Sequence, residues 1–333
     1  MIQVELIPEP ALKEKIKSSP LGNYLCIFYC NSNPPPKFLS NSPVPVFWVP
    51  MKQFGSETLV EVWSTSSSIE YKNYNNLKIA CTDEMIVFEI QQEVEPVNCN
   101  EHLSKEVFET AFRTLKENGY PFVLKIWNYV PYINSDILGL ESYRRFCIGR
   151  QRAFEENDLN FQVTLSASSA LGINSNRFSS IFLASKVEGV HVENPRQISA
   201  FNYPKQYGPK SPSFARATVK MIGGTRYVFV SGTASIVGHE TLHVGNLREQ
   251  TKETLLNIEI LLGEIRKKEI PDGLDINALI RKVYVRNADD IPFVQCYLKK
   301  LNENSMNIYL NGDICRRDLL LEIEGVWVVE ENE

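Results

Sequence analysis

The sequence predicts an α/β chain of duplicated modules, with mixed β-sheets and helices packed on one face. Three observations lead there. An amphipathic helix, a strand with a polar exit and a second short helix occur twice in that order. Leu124-Lys125-Ile126-Trp127 and Arg281-Lys282-Val283-Tyr284 fall in register at the two strands. Strand-like runs, RFSSIFLASKVE (177–188) and DLLLEIEGVWVVE (318–330), close both copies. Repeated element order with weak residue identity marks a duplicated structural unit. A chain of 333 residues has room for about two domains. The expected division is 1–190, an N-terminal degenerate copy, and 191–333, a C-terminal copy.

The elements follow from local pattern. Residues 1–100 read mainly as β with loops. The proline-rich stretch 31–48 predicts a loop or a sheet edge, because proline donates no ladder hydrogen bond. Strands are expected at 59–65, 77–83 and 85–92. From 104 the period changes: Val107, Phe108, Ala111, Phe112 and Leu115 share one helical face, with Ser104 as N-cap and Gly119 as stop. A strand follows from Phe122, then a short helix over 143–154. The second copy has a helix over 249–268, a strand with a polar exit over 279–292 and a short helix over 293–301. Between the copies, residues 194–217 carry four prolines and several aromatics. That segment reads as a covered linker or as a binding loop.

Composition narrows the function. Apolar residues make up 43% and charged residues 23%, as in an ordinary globular protein. Net charge is −5, which speaks against a general nucleic-acid binder. No apolar run approaches the ~20 residues of a membrane span, and the N-terminus has no signal-peptide pattern. Seven cysteines at irregular spacing suggest reduced thiols in a cytoplasmic protein. Cys26 and Cys30, in an apolar run without a second pair, read as buried strand residues.

One metal signature needs weighing. His239-Glu240-Thr241-Leu242-His243 fits H-E-x-x-H, which works only on a helix that puts both histidines on one face. Gly238 and Gly245 bracket only six residues, too short for that helix, so no metal site is expected.

Other residues point to acid chemistry on an anion. In DLLLEIEG, Glu322 and Glu324 share one strand face while Leu321 and Ile323 fill the other. Two carboxylates on an apolar strand are exposed, paired or functional; a solvent-facing edge strand is the plain reading. Arg150, Arg216 and Arg286 are candidate carboxylate forks, or else surface ion pairs. Tyr143, Tyr203 and Tyr207 offer hydrogen bonds and an apolar wall. Gly232, before Thr233, permits close backbone approach. Cys315 is either a small core residue or a site thiol.

The pattern in the second half resembles the YjgF/RidA fold: YVFVSGTASIVGHETLHVGN, the helix 249–268, VYVRNADDIP and LLLEIEG. Together with YRRFCIGRQ (143–151), NPRQISAFNYPKQYGPKSPSFARA and DICRRDLLLEIEG, the set resembles the chorismatases, over about residues 120–333. The resemblance implies removal of the enolpyruvyl group of chorismate as pyruvate, with no cofactor. The ring product is a hydroxybenzoate or a dihydroxycyclohexadiene carboxylate. It aligns the family's catalytic glutamate with Glu322, with Glu324 as the alternative. It places Tyr143, Arg150, Tyr203, Tyr207, Arg216, Gly232, Thr233 and Arg286 around the substrate. Gly232 with Cys315 resembles the 3-hydroxybenzoate-forming type, whose thiol assists ring rearrangement. A fused duplicate is expected to stay monomeric, because part of the usual trimer interface is satisfied internally. A RidA-like imine deaminase and a non-catalytic metabolite-binding module remain as alternatives.

Overall fold

The computed structural model describes residues 1–18, 23–74, 77–94, 100–157, 165–302 and 306–331. Cys99 lies outside them. Three successive stretches of chain each build one sheet.

The first holds β1 (Ile2–Pro8), α1 (Glu9–Ser18), β2 (Tyr24–Cys30), α2 (Lys37–Ser40), β3 (Val46–Val49), β4 (Lys52–Phe54) and β5 (Leu59–Thr65). The second holds β6 (Glu70–Tyr74), β7 (Leu77–Cys81), β8 (Met85–Glu93), α3 (Asn100–Asn118), β9 (Phe122–Pro131), the hairpin β10 (Asp136–Ile137) and β11 (Leu140–Glu141), α4 (Ser142–Glu156), β12 (Ala167–Ile173) and β13 (Arg177–Ser185). The third holds β14 (Val190–Val192), β15 (Ala217–Ile222), β16 (Thr225–Thr233), the small pair β17 (Ile236–Val237) and β18 (Glu240–Thr241), α5 (Leu247–Glu269), β19 (Leu274–Val285), α6 (Ile291–Leu301), β20 (Asn307–Asn311), β21 (Asp313–Ile314) and β22 (Leu321–Glu331).

The sheet orders are superimposable. The second sheet runs β21-β12-β9-β13-β8-β7-β6 and the third β4-β20-β19-β22-β16-β15-β14. In each, the strand after the short helix lies parallel to the strand before it, and the last strand runs antiparallel to both neighbours. The first sheet, β3-β2-β5-β1, repeats the four central positions without the leading hairpin. Three copies of one unit are therefore visible.

Apolar pattern drives their assembly. The three sheets turn one face inward onto a common core, and the helices cover the outer faces in three separate clusters. β2 is buried along its whole length, as expected of a strand covered on both sides, and Cys26 and Cys30 are among its buried side chains. Rings from all three sheets meet at the centre: Phe28 lies 5.0 Å from Trp127, Trp63 6.1 Å from Trp127 and 6.4 Å from Phe229. Such aromatic contacts add to the area they bury.

Charges are embedded there too. Lys125 pairs with Glu324 at 2.7 Å and Lys282 with Glu61 at 2.9 Å, all four nearly inaccessible. Register makes these equivalent positions: Phe28 faces Glu61, Lys125 faces Leu183 and Lys282 faces Glu324. Each glutamate reaches the lysine of a neighbouring unit. At the remaining position of this pseudo-threefold belt stand Phe28 and Leu183.

Two short strands cross between units. β4 adds to the third sheet beside β20, and β21 adds to the second beside β12. The second crossing ties the segment before Cys315 to the second unit. Gly149 has a similar effect: a Cβ there would lie 1.8 Å from the Glu101 carbonyl oxygen. Its absence lets α4 approach α3 closely and sets the height of Arg150.

The proline-rich stretch 31–48 becomes α2 and the edge strand β3. Helix α5 is capped by Asn246, whose side chain accepts from the Glu249 amide, and ends in Arg266, Lys267 and Lys268. Helix α3 begins at Asn100, earlier than the sequence predicted. Ser104 is inside it, and its hydroxyl donates to the Glu101 and Phe146 carbonyls rather than capping. Gly119 follows the helix end with φ +80°, the left-handed conformation that stops a helix.

Candidate active site

A cavity of about 320 Å3 opens between the second and third units. Five stretches of chain line it. β22 brings Glu322 and β16 brings Gly232. The start of α4 brings Tyr143 and Arg144. Segment 194–217, a loop with two 3-10 turns, brings Gln197, Tyr203, Tyr207, Phe214 and Arg216. The turn after β21 brings Cys315, Arg316 and Arg317. A chamber of about 30 Å3 shares Tyr143, Phe214, Gly232, Cys315 and Glu322 and adds Arg150, Ser168 and Ser169.

Glu322 and Glu324 do share one face, but β22 is a central strand and both are buried. Their environments separate them. Burial pushes the Glu322 carboxyl up to about 8, reinforced by the Glu324 charge and opposed by Lys125 and Arg216. It is a protonated acid at neutral pH. Burial alone would raise Glu324 as well, but Lys125 and Lys282 outweigh it and hold that carboxyl below the usual range. Glu324 accepts from Tyr284 at 2.6 Å and from Ser169 at 2.7 Å and pairs with Lys125. Two carboxylates pushed apart by environment, one neutral and one ionised, make an acid beside a fixed anion.

Gly232 is required at its place. A Cβ there would lie 1.9 Å from Glu322 Oε1. The Cys315 thiol is pushed far above its ordinary range by burial and by the Glu322 charge, so it stands as a neutral thiol rather than a thiolate. Tyr143 is likewise held neutral by burial.

Two buried guanidinium groups stand here with free donors, Arg216 at the cavity and Arg150 at the adjoining chamber. Arg150 is 2% exposed; its Nε and Nη2 have no hydrogen-bond partner among the described residues. Arg216 donates through Nη2 to Tyr203 Oη at 2.8 Å and to the Ile198 carbonyl at 3.0 Å, leaving Nε unpartnered. Buried unpaired guanidinium donors are costly. One at the cavity and one at its adjoining chamber create separate anchoring points for carboxylates. Arg316 lies over the Tyr207 ring at 4.0 Å and donates to the His239 carbonyl at 2.8 Å. Tyr207 in turn meets His239 Nδ1 at 3.1 Å.

Two sequence candidates lie elsewhere. Arg286 does not line the cavity. Its guanidinium donates to the carbonyls of Leu319, Ile314 and Arg316, to Asn134 and to Asp313. It therefore shapes the turn that presents Cys315 and Arg316. Thr233 does not line the cavity either, and its hydroxyl donates to the Ser231 carbonyl at 2.9 Å. The H-E-x-x-H run is not helical: β18 pairs with β17, and Gly238 and His243 have φ of 59° and 58°. Its histidines do not share a helical face.

Comparison with known proteins places the chain in a family. A family profile described as chorismatase FkbO/Hyg5-like, N-terminal, matches residues 61–184. A curated 3-hydroxybenzoate synthase of Streptomyces hygroscopicus is 38% identical over 283 residues, spanning 81% of this chain and 82% of that protein. The chain belongs to the chorismatase family. A second relative, a chorismatase of Streptomyces hygroscopicus, is 32% identical over 81% of this chain and 79% of its own length. A solved chorismatase structure covers 98% of both chains with a TM-score of 0.84 at 26% identity.

Within this chorismatase fold, sequence reasoning missed Lys125, Ser169, Gln197, Phe214 and Arg316. Lys125 alone carried a signal, as a lysine in an apolar strand repeated at Lys282. The others become neighbours only through folding.

Proposed function

We propose that this chain is a cytoplasmic chorismatase that converts chorismate to pyruvate and 3-hydroxybenzoate. One observation carries the reading: a buried, protonated Glu322 faces a cavity flanked by two guanidinium groups with free donors. The names of the relatives support it. Chorismate has two carboxylates and an acid-labile enol ether. Arg150 and Arg216 would anchor the carboxylates, and Tyr203, held by Arg216, and Tyr207 would wall the ring. Glu322 would protonate the methylene carbon of the enolpyruvyl group as general acid. The cation formed at the ether carbon is captured by a ring oxygen or by water.

The two products together contain every atom of chorismate, so the 3-hydroxybenzoate route needs no net water. A nearly inaccessible acid suits that route. The neutral Cys315 thiol can supply or accept a hydrogen bond as the ring aromatises. Arg286 and Thr233 serve as positioning residues. On this reading the division near residue 190 stands, with the first two sheets in the N-terminal part and the third in the C-terminal part, and the sheets cover one another's inner faces and let the chain act as a monomer. Among the described residues no helix is long and apolar enough to cross a membrane.

The test is incubation of purified protein with chorismate, with chromatography of the products. Pyruvate and 3-hydroxybenzoate in equal amounts are expected. A dihydroxycyclohexadiene carboxylate would overturn the ring product. No consumption of chorismate would overturn the reading and favour an imine deaminase or a binding module.

A further inference from the structure

The active cleft lies where β12 of one unit meets β16 and β22 of the next. The same juxtaposition recurs between the first unit and the second. β3 of the first unit holds the place of β12, and β8 and β13 of the second hold the places of β16 and β22. Between them is a cavity of about 520 Å3, lined among others by Val46, Trp48, Lys78, Glu89, Gln91 and Arg177. It is separate from the cavity that holds Glu322.

Its chemistry is that of a small binding site. Trp48 gives an aromatic wall, held by its indole N–H donating to the Asn31 carbonyl at 2.9 Å. The Arg177 guanidinium lies 5.2 Å from that ring, and its Nε is buried with no hydrogen-bond partner among the described residues. Its Nη2 approaches Glu89 only at 3.5 Å, while Glu89 accepts from Ser179 at 2.6 Å. Lys78 donates to the Ser40 and Ser42 carbonyls, which leaves one of its three N–H groups. Two cations against one carboxylate leave about one unbalanced positive charge, which suits a monoanion better than a phosphate. At the strand position of Glu322 stands Ile181: Trp127 faces Ile181 as Tyr284 faces Glu322. The cleft therefore has no acid equivalent to Glu322.

We propose that this cleft is a second, non-catalytic site for a cyclic monocarboxylate, with the carboxylate on Arg177 and the ring against Trp48. It is argued independently of the reaction assigned above. Trp48 is also a built-in reporter: of the four tryptophans, Trp63, Trp127 and Trp327 are buried at 1%, 3% and 4% exposure, whereas Trp48 is partly exposed.

Titration of the full chain with benzoate, read by tryptophan emission, tests the site. A saturable change is expected that vanishes in Trp48→Phe, weakens by about tenfold or more in Arg177→Met, and persists in Arg150→Met. Lys78→Met gives a second, smaller weakening should Arg177→Met fail to fold. A signal lost in Arg150→Met but kept in Arg177→Met and Lys78→Met would place the binding in the active cleft and overturn the proposal. So would the absence of a saturable change. Inorganic phosphate binding more tightly than benzoate would overturn the ligand class.

Discussion

The second and third units share strand order, register and helix placement, yet only one carries acid chemistry on its closing strand. In the second, Trp127 faces Ile181 and Lys125 faces Leu183; in the third, Tyr284 faces Glu322 and Lys282 faces Glu324. Two side chains at equivalent positions are core in one copy and acid and counter-ion in the other. The scaffold therefore does not specify the chemistry. What differs is the company: Gly232 clears space for one carboxyl, and Lys125, Ser169 and Tyr284 hold the other ionised.

Making the third unit resemble the second at its acid gives the largest expected effect. Glu322→Gln should lower kcat by about 10^3-fold or more. In the wild type, turnover should fall as pH rises through about 8, where Glu322 ionises. Its folded carboxyl titrates above the ordinary value of about 4.3, so the native state binds more protons across that window. Stability should thus decline as pH rises from about 4.3 to about 8. Glu322→Gln should abolish that decline and unfold at higher urea at pH 8.5 than the wild type. A variant that retains turnover would remove Glu322 from the acid role.

The next effect separates the two embedded ion pairs. Lys125→Met and Lys282→Met each strand a buried carboxylate, and each should cost about 3–5 kcal/mol in denaturant titration. Only Lys125 acts directly on both Glu324 and Glu322. Lys125→Met should therefore reduce kcat more than Lys282→Met does. Equal losses would make the two pairs mere structure. The smallest effect concerns anchoring. Arg150→Lys keeps the charge and loses the fork, and should raise KM by about tenfold with kcat changed less. An unchanged KM would take Arg150 out of the binding site.

Much of this was legible in sequence, for identifiable reasons. Helices α3 and α5 and strands β5, β8 and β9 announce themselves by period. Glu322 stood out because two carboxylates on an apolar strand demand an explanation. Arg286 misled because a strand exit says nothing about which way a guanidinium turns; five local acceptors captured it. Ser104 misled because its acceptor, the Phe146 carbonyl, is 42 residues away. The first unit was illegible as a copy because α2 has only four residues and the leading hairpin is missing.

The missing third pair in the buried belt, with Phe28 and Leu183 in its place, has a wider consequence. In an assembly of three identical chains every substitution arrives in triplicate, so a residue that suits one cleft burdens the other two. Joining the copies in one polypeptide breaks that bond. In that belt one interface was free to replace its ion pair with apolar side chains, another to keep a plain lysine–glutamate contact, and the last to carry a reactive acid beside it.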